Sequence, residues 1–270
     1  MTSPDVLVRA ATARGVTTLT LDSPHNRNAL STPLMTQLLA GLAEAVADDA
    51  VRVIVLDHTG PVFCSGADLK ETAAAYASGT VPAGMLGDVL AAVWECPKPV
   101  VAKVAGPARA GGLGLIAAAD LAVCALEATF AFTEVRIGVV PAVISATVLP
   151  RLHPRAAAEL YLTGDTFDGR RAAEIGLVTA AGPADGLEAA VAGYCDSLVR
   201  GAPGALAGAK QLLRRPPAVD LRTEIAGLST LSTGYFLSEE GREGVLAFRE
   251  KRPASWVPAA DGDAAAGADR

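Results

Sequence analysis

Gly106-Pro107-Ala108-Arg109-Ala110-Gly111-Gly112-Leu113-Gly114-Leu115 is the stretch on which the reading of the fold turns. It follows a strand-like run, Pro99-Val100-Val101-Ala102-Lys103-Val104-Ala105. It precedes an apolar helix-like run, Leu115 to Ala119, closed by Asp120. A strand, a glycine-rich turn and a helix start aim bare backbone N–H groups at negative charge. The first four N–H groups of a helix have no acceptor inside it, and the helix N-terminus carries about half a positive charge. Glycines let another group approach the backbone. Such a turn can hold a phosphate or the oxyanion of a polarised carbonyl.

On the N-terminal side, Val6–Val8 and Val16–Leu21 read as a hairpin around Arg14-Gly15, the second run alternating as a half-buried strand does. Asp22 to Asn28 is a loop by composition. Thr32-Pro33 reads as an N-cap followed by proline at the first helical position. Leu34, Leu38, Leu42 and Val46 then recur four apart, which buries one helix face. Val51–Leu56 is a core strand. Val62-Phe63-Cys64-Ser65-Gly66-Ala67-Asp68 is a second strand-to-turn transition, with a helix expected over 68–76 and a mobile segment over 77–82. Met85–Glu95 reads as a helix.

On the C-terminal side, Leu121–Cys124 and Thr129–Phe132 read as strands, the latter leading to Glu134. Strands alternating with helices imply a mainly parallel sheet. Helices dominate after Val143, at Gly186–Val199, Ala205–Leu213 and Thr223–Phe248. Residues 1–200 are expected to form the core domain and 201–257 a helical oligomerisation region. Residues 258–270, with few large apolar groups, are expected to be a disordered tail.

The 270 residues are half apolar and carry a net charge of −6, with no basic stretch to suit a nucleic acid. No signal peptide is visible. The uncharged run Ile137–Pro150, interrupted by Pro141, is shorter than the ~20 residues that span a bilayer, so no membrane partner is expected. Cys64, Cys96, Cys124 and Cys195 lack C-x-x-C spacing, and the first three sit in apolar surroundings. They read as reduced thiols of a cytoplasmic protein. His25, His58 and His153 are scattered, so no metal site is expected.

Gly112-Leu113-Gly114-Leu115-Ile116-Ala117 fits the dinucleotide pattern G-x-G-x-x-G/A, with Glu134 downstream. The placement argues against it. In a dinucleotide unit the first glycine follows the strand at once, whereas Gly106 to Gly111 intervene here, and Glu134 lies beyond the next strand. The second turn, Cys64-Ser65-Gly66-Ala67-Asp68-Leu69, favours an oxyanion instead. Paired strand-turn-helix units can each give one N–H to a single oxygen.

These residues carry a resemblance that runs in order along almost the whole chain. Asn28-Ala29-Leu30, Phe63 to Glu71, Lys98 to Asp120, Phe132 to Pro141, Thr163 to Val178 and Phe248 to Pro253 resemble successive motifs of the enoyl-CoA hydratase/isomerase (crotonase) superfamily. The resemblance implies an α/β fold, a crotonase-like spiral of ββα units shared with Clp-type peptidases, with C-terminal helices that build a homotrimer or homohexamer. It implies an acyl-CoA thioester as substrate, coenzyme A being part of that substrate and no other cofactor being needed. By position, the oxyanion donors are the N–H groups of Ala67 and Gly111, and Glu134 is the catalytic carboxyl. Asn28, Ala29, Leu30, Ala67, Asp68 and Leu69 would line the CoA path, and Lys251 could reach a CoA phosphate. A Clp-type peptidase would need a Ser-His-Asp set, and no histidine follows Ser65 at a suitable place.

The chain departs from the hydratase pattern at one position. Hydratases of the family hold water between a pair of glutamates. The first falls three residues after the oxyanion glycine, where this chain has Gly114; the second falls on Glu134. The family's P-G-x-G-G is also altered, to Pro141-Ala142-Val143-Ile144-Ser145, a bulkier pocket wall. The overall pattern favours an enoyl-CoA hydratase, and the loss at Gly114 favours isomerase chemistry. A third possibility is an acyl-CoA binding or assembly protein with little turnover.

Overall fold

The computed structural model describes residues 5–68, 70, 71, 83–216 and 220–258. Leu69, most of the helix expected over 68–76, the segment 77–82 and nearly all of the expected tail lie outside the described residues.

Long strand, short strand and helix alternate through the first two-thirds of the chain. β1 (Val8–Ala13) and β2 (Val16–Leu21) form the antiparallel hairpin expected around Arg14-Gly15, but its first strand is Val8–Ala13 and not Val6–Val8, because pairing continues up to the turn at Ala13 and Val16. Then come α1 (Thr32–Ala47), β3 (Val53–His58), α2 (Ala83–Glu95), β4 (Val100–Val104), β5 (Ala108–Arg109), α3 (Gly111–Ala118), β6 (Leu121–Ala125) and β7 (Thr129–Ala131). α4 (Ala142–Val148), α5 (Pro154–Thr163), β8 (Phe167–Asp168), α6 (Gly169–Glu174) and β9 (Ala180–Gly182) complete this part. The helices α7 (Leu187–Leu198), α8 (Pro203–Leu213), α9 (Leu221–Leu237) and α10 (Glu239–Glu250) end the chain.

One sheet has the order β1-β2-β3-β4-β6-β9, parallel beyond the hairpin. Val53 to Leu56 are all buried, as expected of a parallel strand covered on both faces. The short strands form a second layer, β5-β7-β8. Isolated parallel bridges, Leu30 to Ala67 and Cys64 to Ala108, extend it back toward the N-terminus. Each turn of the chain therefore adds one strand to each layer, and the second layer carries the loops that form the site.

Local chemistry explains where the elements begin and where the sequence-based bounds need correction. Leu34, Leu38 and Leu42 are buried at their four-residue spacing. The cap of α1 is Ser31, not Thr32: Ser31 is extended and its hydroxyl accepts from Leu34 N at 3.4 Å. Pro33 is tolerated one position later because the first four N–H groups lack helical acceptors anyway. α3 starts at Gly111, not Leu115, and every residue from Gly111 to Ala118 is buried. Glycine disfavours a helix by roughly 1 kcal/mol per residue, and close packing overrides that penalty here. The stretch read as helical from Thr223 to Phe248 is broken at Ser238, whose extended backbone ends α9 and whose hydroxyl caps α10 by accepting from Gly241 N at 3.0 Å.

A buried polar clasp joins α8 to the core. The Lys210 ammonium donates to Asp120 Oδ2 at 2.5 Å and to the Lys98 carbonyl at 2.7 Å. Asp120 also accepts from Val100 N at 2.8 Å and from Arg214 at 3.3 Å. The Arg151 and Arg214 guanidinium groups lie over the Trp94 ring, 4.8 Å and 5.3 Å from its centre. All four cysteines are buried and unpaired. No helix among the described residues is long and apolar enough to cross a membrane.

Candidate active site

The two glycine turns meet through backbone hydrogen bonds. Phe63 N donates to Pro107 O and Arg109 N donates to Cys64 O, both at 3.0 Å. The Arg109 guanidinium braces β5 against β7 by donating to the carbonyls of Ala108 at 2.8 Å and Thr129 at 2.5 Å. Gly66 adopts φ +96°, a region glycine enters without strain. Its carbonyl accepts from Leu30 N at 2.8 Å. Across a trans peptide the next N–H points the opposite way, so the Ala67 amide faces away from Leu30.

The second turn is strained. Ala110 holds φ +47° and ψ −118°, outside the regions that L residues favour, at the entry to α3. Intrahelical bonding begins with Leu113 N and Gly114 N, which donate to the Ala110 carbonyl at 2.9 and 3.4 Å. The amides of Gly111 and Gly112 therefore precede the first helical acceptor.

Ala67, Asp68, Ala110 and Gly111 line one cavity of about 240 Å³, together with Glu134. Apart from Glu71, its remaining lining is apolar: Leu30 and Met35, Leu86 from α2, and Val139 to Ile144. Glu134 sits in a short 3-10 turn, Thr133–Ile137, directly after β7. Val139 N donates to its backbone carbonyl at 3.0 Å and closes the turn. Its side-chain Oε2 is buried with no hydrogen-bond partner. Burial pushes the Glu134 carboxyl above its ordinary value, partly offset by its own backbone amide. An unpaired buried carboxyl oxygen costs stability, so its persistence points to function.

The other carboxylates of the cavity differ. Asp68 accepts from the amides of Glu71 at 3.1 Å and Lys70 at 2.8 Å and from Asn26 Nδ2 at 3.3 Å, which holds its pKa down, the Glu71 amide most. Glu71 accepts from the Thr32 amide at 2.9 Å and from its hydroxyl at 2.8 Å, as a cap for α1. Both are occupied in holding structure.

Not every residue expected at the site is brought there. Leu30, Ala67, Asp68, Gly111 and Glu134 share the cavity. Asn28 does not; it is fully buried beneath it. Asn28 Oδ1 accepts from Ser23 N at 2.7 Å, and Nδ2 donates to Val62 O at 2.8 Å and Thr59 O at 3.0 Å, so this side chain ties the loops together. Ala29 is 4% exposed and packs in the core. Lys251 is an exposed left-handed residue ending α10, and it is not among the lining residues. Leu69 lies outside the described residues. Met35, Leu86 and Glu71 are lining residues the sequence reading did not assign; Leu86 and Met35 carried only the signal of apolar helix periodicity.

A larger groove of about 820 Å³ lies between α8, α9 and α10. Its polar lining includes Arg215 and Glu224, which pair with each other at 2.8 Å. The smaller cavity is lined by Glu134, with its unpaired carboxyl oxygen, and by Ala67 and Gly111, and it is the candidate site.

Residues 11–258 match the enoyl-CoA hydratase/isomerase family. The 2,3-dehydroadipyl-CoA hydratase of Escherichia coli (strain K12) is 32% identical over 240 residues, covering 87% of this chain and 92% of that protein. The solved structure of Pseudomonas aeruginosa AtuE superposes with a TM-score of 0.88 at 33% identity, covering 93% of this chain and 100% of the other. The crystal structure of an enoyl-CoA hydratase from Mycobacterium avium is 45% identical, with a TM-score of 0.70 and coverage of 93% and 99%. The ordered motifs, the two-layered α/β architecture and these matches agree, and the chain belongs to the enoyl-CoA hydratase/isomerase (crotonase) superfamily.

Proposed function

We propose that this protein turns over an enoyl-CoA thioester through an enolate, with Glu134 as its single proton carrier. The observation that carries this reading is the buried, unpaired Glu134 oxygen in a cavity shared with Ala67 and Gly111. The thioester oxygen is held by the amides of Ala67 and Gly111, which stabilise the charge that develops as a C–H bond is broken. Glu134 accepts that proton and returns it. The proton moves between carbon and carboxyl, so the step uses no metal or redox group. Leu30 and Asp68 border the acyl-CoA path, and Lys251, at the end of α10, serves the CoA phosphates of a neighbouring subunit's site. A second reading, hydration of a 2-enoyl-CoA, is favoured by the hydratase names of its relatives.

Glu134→Gln tests the proposal. The expected loss is roughly 10²–10⁴-fold in kcat, the usual worth of a positioned acid or base, with little change in affinity for the CoA ester. Unchanged turnover in this variant would sink the reading, and binding without turnover in the parent would establish the binding-protein alternative. The acid limb of the kcat profile should lie above the ordinary glutamate value of 4.5, because burial raises the Glu134 pKa. A carboxyl raised on folding favours the protonated folded state, and that contribution is lost as pH rises through the folded value. Glu134→Gln should therefore melt higher than the parent near neutral pH, with the difference closing below 4.5.

The helices from residue 201 onward form the assembly region in this proposal, as a trimer or a pair of trimers. Ile225, Leu231 and Phe236 of α9 are 52%, 38% and 67% exposed in one protomer. Sedimentation at micromolar concentration should give a trimer or hexamer; a stable monomer would remove this part of the proposal.

A further inference from the structure

We infer that Ile144 is the specificity-determining residue that holds this site to one-carboxylate chemistry, moving a proton along an enoyl-CoA and keeping water out of the reaction. The inference rests on the enolate reading above and concerns what happens after the enolate forms.

Gly114 stands one helical turn beyond Gly111 on α3, where a second acid would have to project. The space beside it is already filled. A Cβ built on Gly114 would lie 2.8 Å from Ile144 Cγ2, 3.1 Å from Ile144 Cβ and 3.2 Å from Leu90 Cδ1. Ile144 is 3% exposed, and it also lines the cavity that contains Glu134. One side chain thus closes the position of the missing acid and forms the neighbouring pocket wall.

That wall is fixed in place. The Thr147 hydroxyl, itself buried, donates to the Gly114 carbonyl at 3.1 Å and ties α4 to α3 at this residue. The Ser145 hydroxyl donates to Pro141 O at 2.6 Å. Ile144 cannot swing aside without breaking the packing between the two helices.

The chemical consequence concerns water. Adding water across a double bond requires a water oriented toward one carbon while a proton reaches the next. Val140, Val143 and Ile144 line the same cavity as Glu134, and their side chains offer a water no hydrogen bond. The other lining carboxylates, Asp68 and Glu71, are engaged by backbone amides and Thr32. Isomerisation has no such requirement. Glu134 takes the C2 proton of a 3-enoyl-CoA, and the C–H electron pair enters the enolate conjugated with the C3–C4 double bond. The protonated Glu134 then delivers the same proton to C4, giving the 2-enoyl-CoA and restoring the carboxylate. No atom is gained or lost and no oxidant is needed.

The experiment compares Ile144→Ala, Gly114→Ala, Gly114→Glu and the combined Ile144→Ala/Gly114→Glu and Ile144→Ala/Gly114→Ala, with Glu134→Gln as control. Rates are measured for isomerisation of a 3-enoyl-CoA and hydration of the matching 2-enoyl-CoA, alongside thermal melting. The parent should isomerise in preference to hydrating. Ile144→Ala should raise the hydration-to-isomerisation ratio at least tenfold. Gly114→Glu alone should not raise it, whereas the combined Ile144→Ala/Gly114→Glu protein should exceed Ile144→Ala. Gly114→Ala should lower the melting temperature, and Ile144→Ala should remove at least half of that loss. This last readout needs no activity. A parent that hydrates faster than it isomerises, a ratio unmoved by Ile144→Ala, or additive melting losses would each overturn the inference. Full turnover in Glu134→Gln would instead overturn the enolate reading, with the melting cycle still deciding whether Ile144 fills the place beside Gly114.

Discussion

α3 and α9 both contain glycine, and they stand at opposite extremes of burial. All eight residues of α3 are buried, whereas none of the seventeen in α9 is. In α3, a Cβ on Gly112 would meet Cys64 Cβ at 2.8 Å and the Cys64 carbonyl at 3.0 Å. In α9, Gly227 and Gly234 have nothing within 4 Å of that position. Glycine in α3 lets the helix approach the second layer closely at Cys64. Glycine in α9 has no such role within the protomer. The same residue type serves contact in one helix and leaves open surface in the other.

That contrast can be broken or sharpened by substitution. The largest effect is expected where the two regions are joined. Lys210 is almost fully buried, and burial already lowers its pKa against the opposing pull of Asp120. Asp120→Ala leaves this ammonium unpaired and should cost about 3–5 kcal/mol in chemical denaturation. A loss below about 1 kcal/mol, the level of a surface pair, would mean that α8 docks by apolar contact alone. Gly112→Ala comes next. The added methyl meets backbone as well as side chain at Cys64, and about 1–3 kcal/mol of destabilisation is expected. Gly227→Ala is the smallest and has the opposite sign, a gain of roughly 0.5–1 kcal/mol from helix propensity. A loss of stability or of assembly in Gly227→Ala would show that this face of α9 is covered by another subunit.

The elements legible in the sequence were those whose signal is local. Val53 to Leu56 read as a doubly covered strand because no polar residue interrupts them, and α1 read as a helix because its leucines recur at four. The turn before α3 was legible because glycine stands between a strand and a helix. What escaped was set by distant contacts. The start of α3 depends on packing against Cys64 and Ile144, which outweighs the glycine penalty. The break at Ser238 is a choice between continuing a helix and capping a new one, and both have favourable local chemistry. Asn28 matched a motif associated with the CoA path, yet its amide bonds to Ser23, Thr59 and Val62 commit it to the loop framework. At the site, Glu134 was marked by its motif. The altered run Pro141 to Ser145 was visible as bulk, but only the fold places Ile144 against Gly114.

The cation-flanked Trp94 has an optical consequence. The chain has two tryptophans, and the other is Trp256, whose indole N–H donates to Arg200 O at 2.9 Å beyond α10. Trp94 senses whether Arg214 and the end of α8 remain against the core, and Trp256 borders the groove of the terminal helices. Trp94→Phe and Trp256→Phe therefore separate the intrinsic emission into one signal for the clasp and one for the helical end of the chain. Coincident changes on heating would identify a single cooperative unit, and an earlier change at Trp256 would identify terminal helices that come away while the strands still hold.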